Sequence, residues 1–243
     1  MSRTAVVTGA ASGIGAATAR RLAAEGAELC LVDRDAGALR QLALAANANW
    51  VVADVTEPGA AERVLAESGG VDVLVTAAGA IVRRTAEETS DADWEAALAL
   101  NLTATFRFCR AAISVMRGRG GGAIVTVGSG WGLVAGPRAV AYAATKAAVV
   151  NMTRALAIDH GPDGIRANCV CPGDTDTPLL RDELVQLGEA ADAGIAASGA
   201  SRPLGRVAAP AEIAAAIAWL ASPDAGHVTG TTLVVDGGGL AGG

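Results

Sequence analysis

A proton donor and a cation stand one helical turn apart in Tyr142-Ala-Ala-Thr-Lys146, and a hydroxyl, Ser129, precedes the phenol by 142 − 129 = 13 residues. In a helix, residues four apart occupy the same face, so phenol and ammonium can point into one site. Tyr142 is the only tyrosine in the chain. Such a set is equipped to move a proton on and off an oxygen.

A second constellation sits near the start. Thr8-Gly-Ala-Ala-Ser-Gly-Ile-Gly15 follows a short β-branched run and opens a helical pattern. Gly9, Gly13 and Gly15 permit a tight turn and a close backbone approach. The first N–H groups of the helix, with their partial positive charge, suit a pyrophosphate. The next strand-like run, Glu28-Leu-Cys-Leu-Val-Asp33, ends in an acid 33 − 15 = 18 residues after Gly15, where a ribose-binding carboxylate belongs. Asp33 would accept from the adenosine hydroxyls and repel a 2′-phosphate, an interaction of at most about 4 kcal/mol at 4 Å and an effective dielectric near 20. The expected cofactor is NAD, with NADP disfavoured. Arg34 beside the acid works against that preference, because a guanidinium can turn toward a phosphate. An acid at this position is also suited to capping the helix that starts near Ala36.

Positioning these groups requires strands that end where they stand. Runs at 4–8, 28–33, 49–53, 71–76, 122–128, 165–171 and 231–235 read as strands, alternating with long Ala/Leu/Arg/Glu segments that read as helices. Continuously apolar strands such as Ala123-Ile-Val-Thr-Val127 signal a parallel sheet covered on both faces. The expected fold is a doubly wound (Rossmann) α/β sheet of about seven strands in one domain spanning 1–243. The segment 174–209 is the exception, broken by Gly188, Gly194, Gly199, Pro203 and Gly205. It reads as a mobile helical lid or insertion and is the expected place for substrate recognition.

Composition narrows the classes further. A formal net charge of −6 and 3% aromatics argue against nucleic acid or an anionic membrane surface as partner. No run of about 18 uncharged apolar residues is present, and the N-terminus lacks the pattern of an export signal. A cytoplasmic protein is expected, with Cys30, Cys109, Cys169 and Cys171 as reduced core thiols and no metal site.

Taken together, Thr8-Gly-x3-Gly-x-Gly15, Asn101, Ser129, Tyr142-x3-Lys146 and Pro172-Gly173 strongly resemble the short-chain dehydrogenase/reductase family over nearly the whole chain. The resemblance implies that Tyr142 is the general acid/base, that Ser129 orients the substrate oxygen and that Lys146 holds the nicotinamide ribose. It implies that Asn101 holds a water linking Lys146 to solvent. A phenol titrating near 10 needs roughly 4 kcal/mol to reach 7, and an ammonium about 5 Å away offers roughly 3 kcal/mol. A lowered Tyr142 pKa is therefore expected. The implied cofactor contacts are Gly9, Ser12, Gly13, Ile14 and Gly15 at the pyrophosphate, and Asp33 and Arg34 at the adenosine ribose. Asp54 and Val55 would meet the adenine. Ala78 and Gly79 follow near the ribose, with Pro172, Gly173, Thr175 and Thr177 around the carboxamide. A homotetramer or homodimer is implied too, with small-residue faces around 95–117 and 140–160.

One departure stands out. Many relatives carry Asn-Asn-Ala-Gly after the fourth strand, whereas this chain has Thr76-Ala-Ala-Gly79, which puts the hydrogen bonds at that strand end in question. Trp131 is a candidate wall of the substrate pocket, and Arg138, Arg181, Arg202 and Arg206 are candidate anchors for a substrate carboxylate or phosphate. The expected reaction is NAD-dependent interconversion of a secondary alcohol and a ketone, on a small polyol, sugar or hydroxy acid. Two alternatives are a 3-oxoacyl-thioester reductase and a non-catalytic nucleotide-binding scaffold.

Overall fold

The computed structural model describes residues 3–241. Strands and helices alternate in the order β1 (Thr4–Thr8), α1 (Gly13–Ala24), β2 (Glu28–Asp33), α2 (Ala36–Ala46), β3 (Asn49–Val52), α3 (Ala60–Glu67) and β4 (Val73–Thr76). There follow α4 (Asp91–Ala97), α5 (Thr105–Gly118), β5 (Gly122–Val127), α6 (Val140–His160), β6 (Ile165–Pro172), α7 (Pro178–Gln186), α8 (Ala191–Ala200), α9 (Pro210–Ala221) and β7 (Thr232–Val235). All seven strands are parallel, in the spatial order β3-β2-β1-β4-β5-β6-β7. The order reverses between β1 and β4, which opens a crevice beyond the carboxyl ends of those strands.

Side chains alternate across the sheet, and both faces are buried. Ala5, Val7, Val73 and Val75 pack under α1, α2 and α9, whereas Val6, Leu74 and Ile124 pack under α3 and α5. Each fully buried Val, Leu or Ile contributes about 1.5–3 kcal/mol, which is why the strands read as unbroken apolar runs. Strand β4 starts two residues later than its apolar pattern suggests because Asp72 is a clamp. Its carboxylate accepts from the Thr4 backbone N–H at 2.8 Å and from two Arg119 nitrogens at 2.9 and 3.1 Å.

At the other end of β4, Thr8, Thr76 and Thr126 lie abreast on adjacent strands. The Thr126 hydroxyl shares a 2.7 Å hydrogen bond with Thr153 of α6, but the Thr76 hydroxyl is buried without a partner. Replacing Thr76 by valine, which keeps the shape and removes the orphaned hydroxyl, is expected to stabilise the protein by about 1 kcal/mol. Chemical denaturation of the two proteins measures the difference, and a destabilised variant would show that the hydroxyl is satisfied in solution.

Helix α6 carries Tyr142 and Lys146. Its 21 residues contain neither Gly nor Pro and many alanines, and Gly161-Pro162 ends it, as helix propensities require. No helix among the described residues is long and apolar enough to cross a membrane.

Candidate active site

The strand order brings the predicted groups to one edge of the sheet. Ser129 follows β5, Pro172 ends β6 with Gly173 just beyond it, and Gly79 follows β4. A single cavity at this edge is lined by Gly79, Ser129, Tyr142, Lys146, Pro172 and Gly173. Ile14, Thr175 and Thr177 close it from the side of the glycine loop.

Around the phenol the geometry is tight. Lys146 is buried, its Nζ donates to the Val127 carbonyl at 2.8 Å, and it stands 5.7 Å from the centre of the Tyr142 ring. The Ser129 hydroxyl accepts from the Trp131 N–H at 3.1 Å and shares the cavity lining with the phenol. Trp131 meets the Tyr142 ring edge-on, centroids 6.4 Å apart and planes at 82°.

The expected depression of the Tyr142 pKa is not found in the chain alone. Burial pushes the phenol up to about 12, Ser129 pulls it back, and the negative charges of Glu183 and Asp174 oppose the phenolate. Burial also pushes Lys146 down to about 8, so the pair resists becoming a phenolate beside an ammonium. Desolvation of both groups outweighs the attraction of an ammonium about 5 Å away and is the largest cause of each shift. Because the chain has one tyrosine, tyrosinate absorbance reports on Tyr142 alone. The folded, unliganded protein is expected to show phenolate only above its ordinary value of 10, toward about 12, and added NAD⁺, which carries a positive nicotinamide ring, is expected to lower the midpoint. A midpoint at or below 10 without ligand, with circular dichroism confirming the fold, would contradict this reading.

Asn101 is outside this cavity's lining but adjoins it: a Cβ on Gly79 would stand 3.2 Å from its Oδ1 and 3.5 Å from Lys146 Nζ. It sits in a π-helical turn, Leu98–Ala104, between α4 and α5, where Thr105 bonds its carbonyl at 3.0 Å. Its amide clamps Ala80, accepting from the N–H and donating to the carbonyl, both at 3.0 Å, and donates to Thr145 at 3.3 Å. It lines a second, smaller cavity on the other side of Tyr142.

The remaining cofactor candidates border the crevice at the sheet edge. Gly9 and Gly13 have positive φ, and a Cβ on Gly9 would stand 2.6 Å from the Ala78 N atom, which only glycine avoids. A Cβ on Gly15 would overlap the Gly9 carbonyl. Helix α1 starts at Gly13 with no side-chain cap from Ser12, leaving first-turn N–H groups for a ligand. Thr177 packs against Gly13, where an added Cβ would come within 3.2 Å of its methyl group. The loop after β6 therefore reaches back to the glycine turn. Asp33 accepts from the Ala11 N–H with one oxygen and from the Asp35 N–H with the other, both at 3.0 Å. Asp35, rather than Asp33, caps α2 by accepting from Gly37 and Ala38. Arg34 is exposed beside it, and Asp54 binds Thr56 through backbone and side chain, which lowers its pKa. Val55 is buried and Ala78 half-buried. A cradle that a Cβ would fill, open helix N–H groups and a strand-end acid fit a dinucleotide.

Of the candidate arginines, only Arg202 lines the cavity. It pairs with Asp174 at 2.7 Å, while Arg138, Arg181 and Arg206 pair with Glu88, Asp176 and Glu212 outside it. Trp131 does form a wall. Glu183, Asp174, Asp236 and Leu240 were missed, because no local pattern links them to Tyr142. All four cysteines are buried and free, and no cluster of metal-ligating residues exists among the described residues.

A parallel doubly wound sheet, a glycine cradle and a phenol, ammonium and hydroxyl at the switch-point crevice define a dinucleotide-dependent oxidoreductase of CH–OH groups. The chain belongs to the short-chain dehydrogenase/reductase family. The family model described as Enoyl-(Acyl carrier protein) reductase matches residues 9–239. The chain is 43% identical to a cis-4-hydroxycyclohexanecarboxylate dehydrogenase of Sinomonas cyclohexanicum, over 97% of this chain and 96% of that one. It is 42% identical to a galactitol 2-dehydrogenase (L-tagatose-forming) of Cereibacter sphaeroides, over 96% and 93%. The structure of aldohexose dehydrogenase from Thermoplasma acidophilum superposes with a TM-score of 0.91 at 31% identity, over 100% of this chain and 95% of that one.

Proposed function

We propose that the protein is an NAD(H)-dependent dehydrogenase interconverting a small secondary alcohol and its ketone, with Tyr142 as general acid/base. The observation that carries this reading is the convergence of Tyr142, Ser129 and Lys146 in one cavity beside Gly79, Ile14 and Thr177. Ser129 and Tyr142 hold the substrate oxygen between two hydroxyls, and Tyr142 exchanges its proton. Lys146 supplies a positive charge to the phenolate, and Asn101 fixes the loop carrying Gly79 through Ala80. When bound, a nicotinamide cofactor supplies the hydride acceptor or donor. The glycine loop, the first turn of α1, Asp33 and the 172–177 segment would hold it, with Asp54, Val55, Ala78 and Arg34 at its adenosine end.

Asp33 supports NAD over NADP. The named relatives act on ring and open-chain alcohols, which supports a small alcohol here. Segment 174–209 is proposed as the lid of a single catalytic domain, because α7 places Leu179, Leu180 and Glu183 in the cavity wall. A cytoplasmic homotetramer or homodimer belongs to the same reading, supported by Trp94, Phe106 and Ile158 exposed on α4, α5 and α6.

Initial rates on a panel of secondary alcohols, with NAD⁺ and NADP⁺ in parallel, test it. NADH formation on at least one alcohol is expected, with NAD⁺ preferred. Equal or better use of NADP⁺ would overturn the assignment of Asp33, and no turnover on any alcohol or ketone would overturn the dehydrogenase itself.

A further inference from the structure

The cavity that holds Tyr142 is lined by three carboxylates, Asp174, Glu183 and Asp236. Two are held by the fold. Asp174 accepts from Arg202 at 2.7 Å and from the Ser198 hydroxyl, and Asp236 accepts from the Gly238 and Leu240 N–H groups at 2.9 and 2.8 Å. Glu183 differs. Its Oε1 takes one nitrogen of Arg83, and among the described residues Oε2 makes no hydrogen bond. The pair is nearly dry, with side chains 6% and 14% exposed.

Glu183 is also aimed. Arg83 lies over the Trp131 ring, 4.7 Å from its centre, while Trp131 sits edge-on to Tyr142. The Arg83 N–H donates to the Gln186 side chain at 2.9 Å, and Gln186 donates back to the Ile81 carbonyl at 3.3 Å. Arg83 and Gln186 thus lock α7 onto the loop after β4. Trp131 and Glu183 stand in the cavity wall with the phenol, and Arg83 bridges them from behind. The carboxylate is close enough that its charge is the leading one opposing ionisation of Tyr142.

A partly buried carboxylate with an oxygen left free in the cavity wall accepts hydrogen bonds and repels anions. A substrate carrying only a C–H group there would leave that oxygen dehydrated and unpartnered. A substrate carboxylate or phosphate would meet Glu183 and find Arg202 already neutralised by Asp174. We infer that Glu183, positioned by Arg83 and Trp131, accepts a hydrogen bond from a second hydroxyl of the substrate, so that the site selects uncharged diols or polyols over simple alcohols and hydroxy acids. This rests on the proposed dehydrogenase reading and narrows its substrate class.

The test uses matched pairs with NAD⁺: vicinal cyclohexanediol against cyclohexanol and vicinal butanediol against butanol oxidised at the same carbon, with hydroxybutyrate as the anionic arm. The wild type is expected to prefer the diol of each pair by about 10- to 100-fold in kcat/KM, carried mainly by KM, and to use hydroxybutyrate least. Glu183→Leu is expected to reduce the diol-to-alcohol ratio to near unity, and Glu183→Gln, which keeps an acceptor and the shape, to retain part of it. A purely structural role would lower both members of a pair alike and leave the ratio unmoved, which overturns the inference. Equal wild-type rates on alcohol and diol, or preference for hydroxybutyrate, overturn it too while leaving the dehydrogenase standing. Failure of the wild type on every alcohol in the wider panel removes the dehydrogenase reading itself, and this inference with it.

Discussion

Tyr142→Phe is expected to lower kcat/KM by about 10² to 10⁴ while leaving NADH affinity nearly unchanged. The substitution removes one oxygen. The ring that Trp131 meets edge-on is retained, so the cavity wall keeps its shape. What disappears is the proton acceptor for the substrate oxygen, next to Ser129 in the cavity lining. Residual activity would come from Ser129, which still orients the substrate. Cofactor affinity is expected to survive because its cradle is built by the β1–α1 turn, Asp33 and the 172–177 loop. Steady-state kinetics with a parallel NADH fluorescence titration separate the two effects. Wild-type turnover in the variant would remove Tyr142 from the mechanism, and loss of NADH binding would mean that the ring itself supports the cofactor.

The second large effect concerns Asp33. Removing the carboxylate removes a repulsion of at most about 4 kcal/mol against a 2′-phosphate, or roughly 10³-fold, and exposes that phosphate to Arg34. In Asp33→Ser the ratio of kcat/KM for NADP⁺ over NAD⁺ is expected to rise by about 10²-fold, most of it in cofactor KM. Absolute rates with NAD⁺ should fall as well. Asp33 ties the glycine loop to the end of β2 through the Ala11 N–H at 3.0 Å, and serine is short for that span. An unchanged cofactor ratio would confine Asp33 to its structural role at Ala11.

How the chain could be read ahead of its structure follows from which interactions are local. The strands were legible because a two-sided parallel sheet demands unbroken apolar runs, and misplaced ends such as Asp72 arose where a polar residue caps a strand through Thr4 and Arg119. Thr76 was legible as a departure, and its hydroxyl is indeed without a partner. By contrast, four arginines looked equivalent on paper. Only the fold distinguishes Arg202, which faces the cavity, from Arg138, Arg181 and Arg206, whose acids lie outside it.

By itself, the sequence determined what depends on short spacing: a phenol and ammonium one turn apart, glycines where a Cβ would strike Gly9 or Ala78, and an acid ending the second strand. Tertiary structure decided what depends on distant neighbours. The direction of the Tyr142 shift was set by desolvation together with Glu183 and Asp174, which lie far along the chain. Arg83 and Glu183 meet across 100 residues and turn an acid on an unremarkable helix into part of the cavity wall. Desolvation and charge pairing act through space, and in this protein the spatial neighbours of the reacting oxygen come from β5, α6, α7 and the loop after β6, which only the folded sheet brings together.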